Sequence, residues 1–178
     1  MIEFIPGLEL SKQNYDLIIF AGAPGSGKST IGTLLQRQIG SPLIDFGWLR
    51  EFHLDPEWKN ESQEEQEMAF ENLVFILRNY AAHGYGNVIV NDLDADKVTR
   101  LVELFKDNRL AVITLVVSDE EELKERIAAR KNGFTNVDKA LFLNRQAIES
   151  PSLPNETRVD TAHRSVQETV ENILDVLK

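Results

Sequence analysis

Short apolar runs and longer stretches of helical periodicity alternate along the chain. Two of the runs, Leu17–Ala21 and Ala111–Val117, are apolar at nearly every position, which is typical of strands buried on both faces. Between such runs, apolar residues recur at intervals of three and four, which predicts amphipathic helices. Strands that alternate with helices form a parallel sheet covered on both faces, so the pattern predicts a three-layer α/β fold.

Five strands and six helices are predicted in this way. The strands are Leu17–Ala21, Leu43–Asp45, Asn87–Asn91, Ala111–Val117 and Thr157–Asp160. The helices are Lys28–Ile39, one from about Ser62 to the glycines at 84 and 86, one over Val98–Phe105, one capped by Ser118 and stopped by Asn132-Gly133, Asp138–Ile148, and a last one opened by Ser165. Ligands of such folds bind where the parallel strands end, so that edge of the sheet is the predicted site.

A phosphate-binding loop follows the first strand. The residues Gly22, Ala23, Pro24, Gly25, Ser26, Gly27, Lys28 and Ser29 fit the pattern G-x-x-x-x-G-K-[ST]. The glycines let the backbone turn its N–H groups inward, and the helix that follows adds its N-terminal amides to an anion cradle. Lys28 is predicted to reach the β- and γ-phosphates of a nucleotide, Ser29 to ligate Mg²⁺, and Thr30 to belong to the same site. A chance glycine-rich turn is the alternative, and the strand before and helix after the loop argue against it.

Carboxylates follow three of the predicted strands. Asp45 is predicted to orient or deprotonate an acceptor hydroxyl, although it could instead cap the following turn. Asp92 has two open interpretations, which are to hold Mg²⁺ through water or to cap the third helix, whereas Asp94 fits the cap better. Asp160 ends the fifth strand.

Composition narrows the class of partner. The chain has 178 residues and a net charge of −10, which predicts one domain over residues 1–178 and argues against nucleic acid or an anionic membrane as partner. It contains no cysteine, so disulfides are excluded and a reducing compartment is compatible. The first residues do not have the pattern of a signal peptide and no run has transmembrane length, so a cytoplasmic location is expected. The expected assembly is a monomer or a homodimer.

Two large classes of P-loop protein do not fit the rest of the chain. GTPases need a guanine-reading N-K-x-D, which is absent, and motor-type ATPases usually end a strand in Asp-Glu, whereas the third strand here ends Asn91-Asp92-Leu93. Small-molecule kinases need instead an acceptor hydroxyl held in line and a basic lid that excludes water.

The predicted fourth helix offers such a lid. On a helical wheel Arg126 and Arg130 fall on the apolar face with Leu123. A charged side chain on a core face needs a partner. The two arginines are therefore predicted to meet the nucleotide from a lid around residues 126–140, or else to pair with structural carboxylates or extend outward to water.

With these motifs the chain resembles the small-molecule kinase branch of the P-loop fold, which includes shikimate, gluconate and nucleoside monophosphate kinases and chloramphenicol phosphotransferase. The resemblance implies a five-stranded parallel sheet in the order 2-3-1-4-5, a Mg²⁺·ATP site and a lid. It implies that Arg126 lies against the adenine, that Arg130 approximates the lid arginine, and that Asp160 and Thr161 border the adenine. It also implies a carboxylate near the acceptor at Asp45.

The substrate motifs of those enzymes are missing, so the resemblance names no acceptor. The resulting prediction is an ATP-dependent phosphotransferase acting on a small-molecule hydroxyl, with Lys28, Asp45 and Arg130 catalytic and Ser29 and Asp92 at the metal. The rival hypothesis is a nucleotide-binding regulatory module or slow ATPase that acts through a protein partner. The predicted acceptor region also carries Trp48, Arg50, His53 and Trp58, each as readily explained by packing or solvation. Residues 1–14 are expected to pack along the sheet edge.

Overall fold

A computed structural model describes residues 14–52, 62–131 and 133–178. Five parallel strands form one sheet in the order β2-β3-β1-β4-β5, which confirms the predicted order. The strands are β1 (Leu17–Gly22), β2 (Leu43–Asp45), β3 (Val88–Asn91), β4 (Leu110–Val116) and β5 (Glu156–Asp160).

Helices connect these strands over both faces of the sheet. They are α1 (Lys28–Ile39), α2 (Phe46–Arg50), α3 (Gln63–Ala82), α4 (Ala95–Leu104), α5 (Glu120–Ala128), α6 (Val137–Glu149) and α7 (Val166–Val176). The six predicted helices are all present, and the short α2 is an addition. No helix in the described ranges is long and apolar enough to cross a membrane.

The core lies on both faces of the sheet because successive strand residues point to opposite sides. In β3, Val88 and Val90 pack into a cluster with residues of α3 and α4. Ile89 between them packs on the other face, into a cluster with residues of α1 and α7. A third cluster joins Leu123 of α5 to residues of α6. The near-continuous apolar runs of the central strands follow from this two-sided burial.

Helix α5 differs from its prediction at both ends. The cap is Asp119 rather than Ser118, since its carboxylate accepts hydrogen bonds from the N–H groups of Glu121 and Glu122 at 2.9 and 3.2 Å. The helix ends at Ala128, so the prediction that it continues to Asn132-Gly133 is wrong.

Some predicted features lie outside the described residues. These are the packing of residues 1–13 along the sheet edge and the placement of His53 and Trp58 in the acceptor region. A lid around 126–140 stays a prediction: it covers the end of α5, a connecting segment and the start of α6.

Candidate nucleotide and acceptor site

The P-loop needs glycine at two positions where the chain packs most closely. Gly22 has φ 123°, and a Cβ there would lie 2.2 Å from the carbonyl oxygen of Leu115 in β4. Gly25 has φ 88°, and its Cβ would lie 2.8 Å from Leu123 Cδ1 and 2.9 Å from Ile127 Cδ1 in α5. Both contacts are far inside van der Waals distance, so the loop can pass between β4 and α5 only without side chains at these positions.

The N-terminus of α1 is left open for an anion. Its cap residue is Gly27, which has no side chain to bond the first amides, and its first turn contains no acidic residue. Ser29 and Thr30 in this turn are exposed. The uncapped amides and the positive end of the helix dipole therefore fit a phosphate group.

Lys28 folds back over the loop that it follows. Its Nζ donates hydrogen bonds to the carbonyl oxygens of Gly22 at 2.8 Å and Ala23 at 2.9 Å. Burial lowers the pKa of Lys28 to about 8; the charge of Asp92 opposes this shift, that of Arg130 adds to it and that of Asp45 opposes it. A cation that is desolvated in this way is stabilised when an anion arrives.

Asp45 ends β2 and caps the helix that follows. Its Oδ1 accepts a hydrogen bond from the N–H of Gly47 at 2.9 Å, so the capping interpretation is confirmed, while its role as a base stays a prediction. Burial, followed by the nearby charge of Asp92, raises the pKa of Asp45; Gly47, Arg50 and Lys28 oppose the shift. A carboxylate with a raised pKa is a better proton acceptor than an ordinary aspartate, which is the property that a general base needs.

Asp92 lies across Gly47 from Asp45. A Cβ on Gly47 would lie 2.8 Å from Asp92 Oδ2 and 2.9 Å from Asp45 Oδ1, so glycine allows the two carboxylates to approach the same point. Asp92 has φ 62° and accepts a hydrogen bond from Arg50 Nη2 at 2.6 Å. Asp94 is the cap of α4, so the capping interpretation of Asp92 is wrong.

Arg50 belongs to this cluster, although the sequence left it undecided between acceptor binding and solvation. Besides its ion pair with Asp92, its guanidinium carbon lies 5.5 Å from the centre of the Phe46 ring. Its Nε is buried and has no partner in the described part of the chain. The one sequence signal was its position five residues after Asp45, on the helix that the pattern did not predict.

Arg126 joins α5 to the loop that follows β5. It donates to Glu122 Oε1 from Nε at 3.1 Å and from Nη2 at 2.6 Å, and to Thr161 Oγ1 from Nη1 at 2.8 Å. The alternative interpretation, a pairing with a structural carboxylate, is therefore confirmed for Arg126, and the contact with adenine stays a prediction. Thr161 is buried, and its hydroxyl lies 3.3 Å from the carbonyl oxygen of Ser26, which connects this network to the P-loop.

Asp160 has a structural partner on each side. Its Oδ1 accepts hydrogen bonds from the N–H groups of Ser118 and Ala162, both at 3.0 Å. Burial would raise the pKa of Asp160, but its hydrogen bonds with Ser118 and Ala162 outweigh that effect and hold the pKa below the usual value. Asp160 thus fixes the loop that carries Thr161 against the end of β4.

Arg130 does not lie on the inward face of a helix, and that prediction is wrong. Helix α5 ends two residues earlier, and Arg130 is exposed. Its charge nonetheless lowers the pKa of Lys28, so the guanidinium lies within electrostatic range of the P-loop. Its place beside the phosphates stays a prediction.

The residues present fit Mg²⁺·ATP. The P-loop carries the Ser29 hydroxyl, and the carboxylates of Asp45 and Asp92 lie close enough for their charges to act on Lys28. Such hard oxygen donors are the ligands that Mg²⁺ prefers. No group of three or more His, Cys, Asp or Glu that could hold a metal occurs among the described residues. In nucleotide sites Mg²⁺ is bound by one or two carboxylates together with phosphate oxygens and water, so it needs no such group.

The sheet order and the P-loop define the fold of the P-loop kinases. A sequence profile described as an AAA domain matches residues 18–140, and the chain belongs to this family. A comparison with curated proteins finds no significant match.

Solved kinase structures share the fold across nearly the whole chain. A gluconokinase from Sinorhizobium meliloti superposes with TM-score 0.69 at 20% identity, covering 93% of each chain. A sugar kinase from a Janibacter species gives 0.66 at 16% identity, over 92% of this chain and 94% of that one. Thymidylate kinase from Candida albicans gives 0.58 at 16% identity, over 92% and 91%. These similarities confirm the predicted resemblance at the level of the fold.

Proposed function

We propose that the protein is an ATP-dependent phosphotransferase that moves the γ-phosphoryl group of Mg²⁺·ATP to a hydroxyl group of a small molecule. The observation that carries the proposal is the convergence of charge at one edge of the sheet. The carboxylates of Asp45 and Asp92 approach the same point at Gly47, and their charges and that of Arg130 act on the pKa of Lys28. Phosphoryl transfer depends on placing cations and a proton acceptor around the transferred group, and this cluster supplies both.

Each residue has a role that its surroundings support. Lys28 and the amides of the P-loop bind the phosphates, and Ser29 and Asp92 hold Mg²⁺, which neutralises phosphate charge when bound. Asp45 accepts the proton of the acceptor hydroxyl, aided by its raised pKa. Arg126, Asp160 and Thr161 border the adenine of ATP, and Arg130 approaches the phosphates from the lid.

The arrangement supports transfer to a hydroxyl better than hydrolysis. In β3 and the two residues after it, Asn91-Asp92-Leu93, there is no glutamate to activate water. The carboxylate with the raised pKa instead stands at the end of β2, beside α2. Strand β3 lies between β2 and the P-loop strand β1, so a base at the end of β2 leaves room between itself and the P-loop for a second substrate.

One observation fits the regulatory alternative as well as the kinase. Trp48 and Phe52 lie four residues apart and are 61% and 76% exposed, close in the chain to Asp45 and Arg50. Exposed aromatic side chains are enriched at surfaces that bind protein partners, and they also line ligand pockets. They therefore suit a switch that presents a nucleotide-dependent surface, as well as a kinase with an acceptor resting on the rings.

The decisive experiment is a screen for phosphorylated products. The protein is incubated with Mg²⁺·ATP and pools of alcohols, sugars, nucleosides and antibiotics, and products that carry an added phosphoryl group are sought by mass spectrometry. A kinase gives a product and acceptor-dependent release of ADP. Release of ADP that no pool accelerates, together with binding of a protein only in the presence of nucleotide, would establish the switch instead.

Replacing Arg50 with methionine is expected to move the acid side of the pH–rate profile to higher pH. Arg50 lowers the pKa of Asp45, and without its charge the carboxyl group holds its proton to higher pH. Because the base must be ionised to act, activity then appears only at a higher pH. The measurement is kcat against pH for the product found in the screen.

The matched control is Arg100→Met. Arg100 donates to Glu67 from Nη1 at 2.8 Å and lies 4.3 Å from the centre of the Phe70 ring, so it resembles Arg50 in having a carboxylate partner and a phenylalanine neighbour. It should leave the profile in place. Identical profiles for Arg50→Met and the wild type would show that Asp45 does not set the acid limb.

A further inference from the structure

Two asparagines are equally buried in this protein and differ in one respect. Asn91 and Asn144 are each only 1% exposed. Asn144 on α6 uses both ends of its amide, since Nδ2 donates to the carbonyl oxygen of Val117 at 2.8 Å and Oδ1 accepts from the N–H of Val117 at 3.0 Å. Neither Nδ2 nor Oδ1 of Asn91 has a hydrogen-bond partner among the residues that the structure describes.

A buried amide without hydrogen-bond partners destabilises the folded protein. A buried polar group without a partner lowers the ratio of folded to unfolded protein by roughly 5- to 150-fold. Most buried polar atoms in native proteins are paired, so an unpaired one points to strain, to water or to a bound group. An apolar side chain of similar shape would avoid this cost. The presence of an amide at Asn91 therefore calls for a partner that arrives with a ligand.

The position of Asn91 shows which ligand. It is the last residue of β3 and lies in register with Asp45 on β2, so the two side chains leave the same face of the sheet. Helix α1 covers this face, and a Cβ on its Gly32 would lie 3.4 Å from Asn91 Nδ2. Gly32 stands one helical turn after Lys28 and Ser29 in α1. The amide is therefore buried between the proposed base and the helix that binds the phosphates.

The chemistry of an amide suits this position better than that of a carboxylate. It offers both a donor and an acceptor, so it can bond a hydroxyl or a metal-bound water without carrying charge. Asp92 already raises the pKa of Asp45. A further negative charge beside Asp45 would raise it more and hinder ionisation of the base.

We propose that Asn91 is a positioning residue whose amide gains its hydrogen-bond partners when Mg²⁺ and nucleotide bind, and that it thereby orients the Ser29 hydroxyl or the water held by the metal. The inference rests on the nucleotide site of the proposed function, although it does not depend on which acceptor is phosphorylated. It predicts that Asn91 lowers the stability of the ligand-free protein and raises its affinity for Mg²⁺·nucleotide.

The test compares Asn91→Leu with Asn144→Leu. Thermal unfolding is measured without ligand and with a non-hydrolysable ATP analogue, in Mg²⁺ and in EDTA, and Kd is obtained by calorimetry. Asn91→Leu is expected to keep or raise the ligand-free Tm while weakening binding about tenfold or more in Mg²⁺ and much less in EDTA. Asn144→Leu breaks two existing hydrogen bonds, so it is expected to lower the ligand-free Tm by several degrees and leave the Kd within about twofold of wild type.

The outcomes separate the inference from the proposed function. A wild-type protein that shows no nucleotide binding overturns both. Normal wild-type binding with an unchanged Kd for Asn91→Leu in Mg²⁺, or with a ligand-free Tm that falls as for Asn144→Leu, overturns the inference alone. If leucine prevents folding, Asn91→Val, which is smaller and suits a strand, is measured in the same way and judged by the same two criteria.

Discussion

Replacing Lys28 with methionine is expected to stabilise the ligand-free protein and to lower its phosphotransferase activity by about 10²–10³. The ammonium group is held against the carbonyl oxygens of Gly22 and Ala23, and burial lowers its pKa to about 8. The folded state therefore disfavours the charge that the unfolded chain carries freely. Methionine keeps much of the length and apolar contact of the side chain without that charge.

The lowered pKa of Lys28 also predicts how the difference in stability between the wild type and Lys28→Met changes with pH. The pKa of Lys28 in the folded protein lies below its ordinary value of 10.5, so the unfolded chain binds more protons between about pH 8 and 10.5. The stability of the wild type relative to Lys28→Met thus rises across that window. Below pH 8 the variant should be more stable by at most about 3 kcal/mol, and the advantage should vanish above pH 10.5. Urea unfolding at several pH values measures it.

The effect on catalysis is expected to be in the opposite direction. Removing one preorganised charge at the transferred group typically costs about 10²–10³ in rate. Because phosphates favour the protonated lysine, binding of nucleotide near pH 8 to 9 should take up a proton in the wild type and not in the variant. Calorimetry in buffers of different ionisation enthalpy measures this uptake.

Lys106→Met serves as the control, since Lys106 pairs with Glu103 on an exposed surface. It should alter neither stability nor proton uptake by much. A Lys28→Met variant with wild-type activity would refute the proposed role of the P-loop.

Replacing Asp45 with asparagine is expected to lower kcat by about 10²–10⁴ and to leave nucleotide affinity nearly unchanged. The amide oxygen of asparagine can still accept the hydrogen bond from Gly47, so the start of α2 is retained while the proton acceptor is lost. The raised pKa of Asp45 means that its ionised form is disfavoured in the folded state. The variant should therefore be slightly more stable than the wild type above that pKa. Steady-state kinetics and equilibrium unfolding give the two readouts.

Asp94→Asn is the matched control because Asp94 also caps a helix, accepting from the N–H of Lys97 at 2.9 Å. It should retain the activity of the wild type. Equal losses of activity in the two variants would assign Asp45 a structural role alone.

Both predictions combine a gain in stability with a loss of function, and the reason is common to Lys28 and Asp45. Each is a charged group that burial disfavours in the ligand-free protein. Natural sequences keep such groups where a substrate later compensates them. The proposed site can therefore be recognised by buried charged groups that lower the stability of the ligand-free protein.

Local features of the sequence predicted most of the fold correctly. The strands could be located because central strands buried on both faces are apolar at successive positions, and the P-loop because its glycines are needed for the backbone path itself. Helix caps were predicted less reliably. Ser118 and Asp119 are adjacent and both are good cap residues, and the backbone conformation around them selected Asp119.

The positions of the two arginines show where a helical wheel stops being informative. The periodicity assumed that α5 continues past Arg130, but the helix ends at Ala128 and the wheel no longer applies. Arg126 lies within the helix, and it bonds Glu122 of the same helix and Thr161 of the loop after β5. Thr161 is 35 residues away in sequence, so no local pattern could have identified it.

The sequence by itself determined the P-loop side of the proposed site, because a P-loop is a continuous segment whose backbone geometry is encoded in its own glycines and lysine. Only the tertiary structure decided the arrangement on the acceptor side. The register of β2 with β3 brings Asp45, Asn91, Asp92 and Arg50 together, and it is set by side chains that pack on both faces of the sheet. Whether a carboxylate is capped, paired or left with a raised pKa depends on neighbours from different strands, and these meet only when the chain is folded.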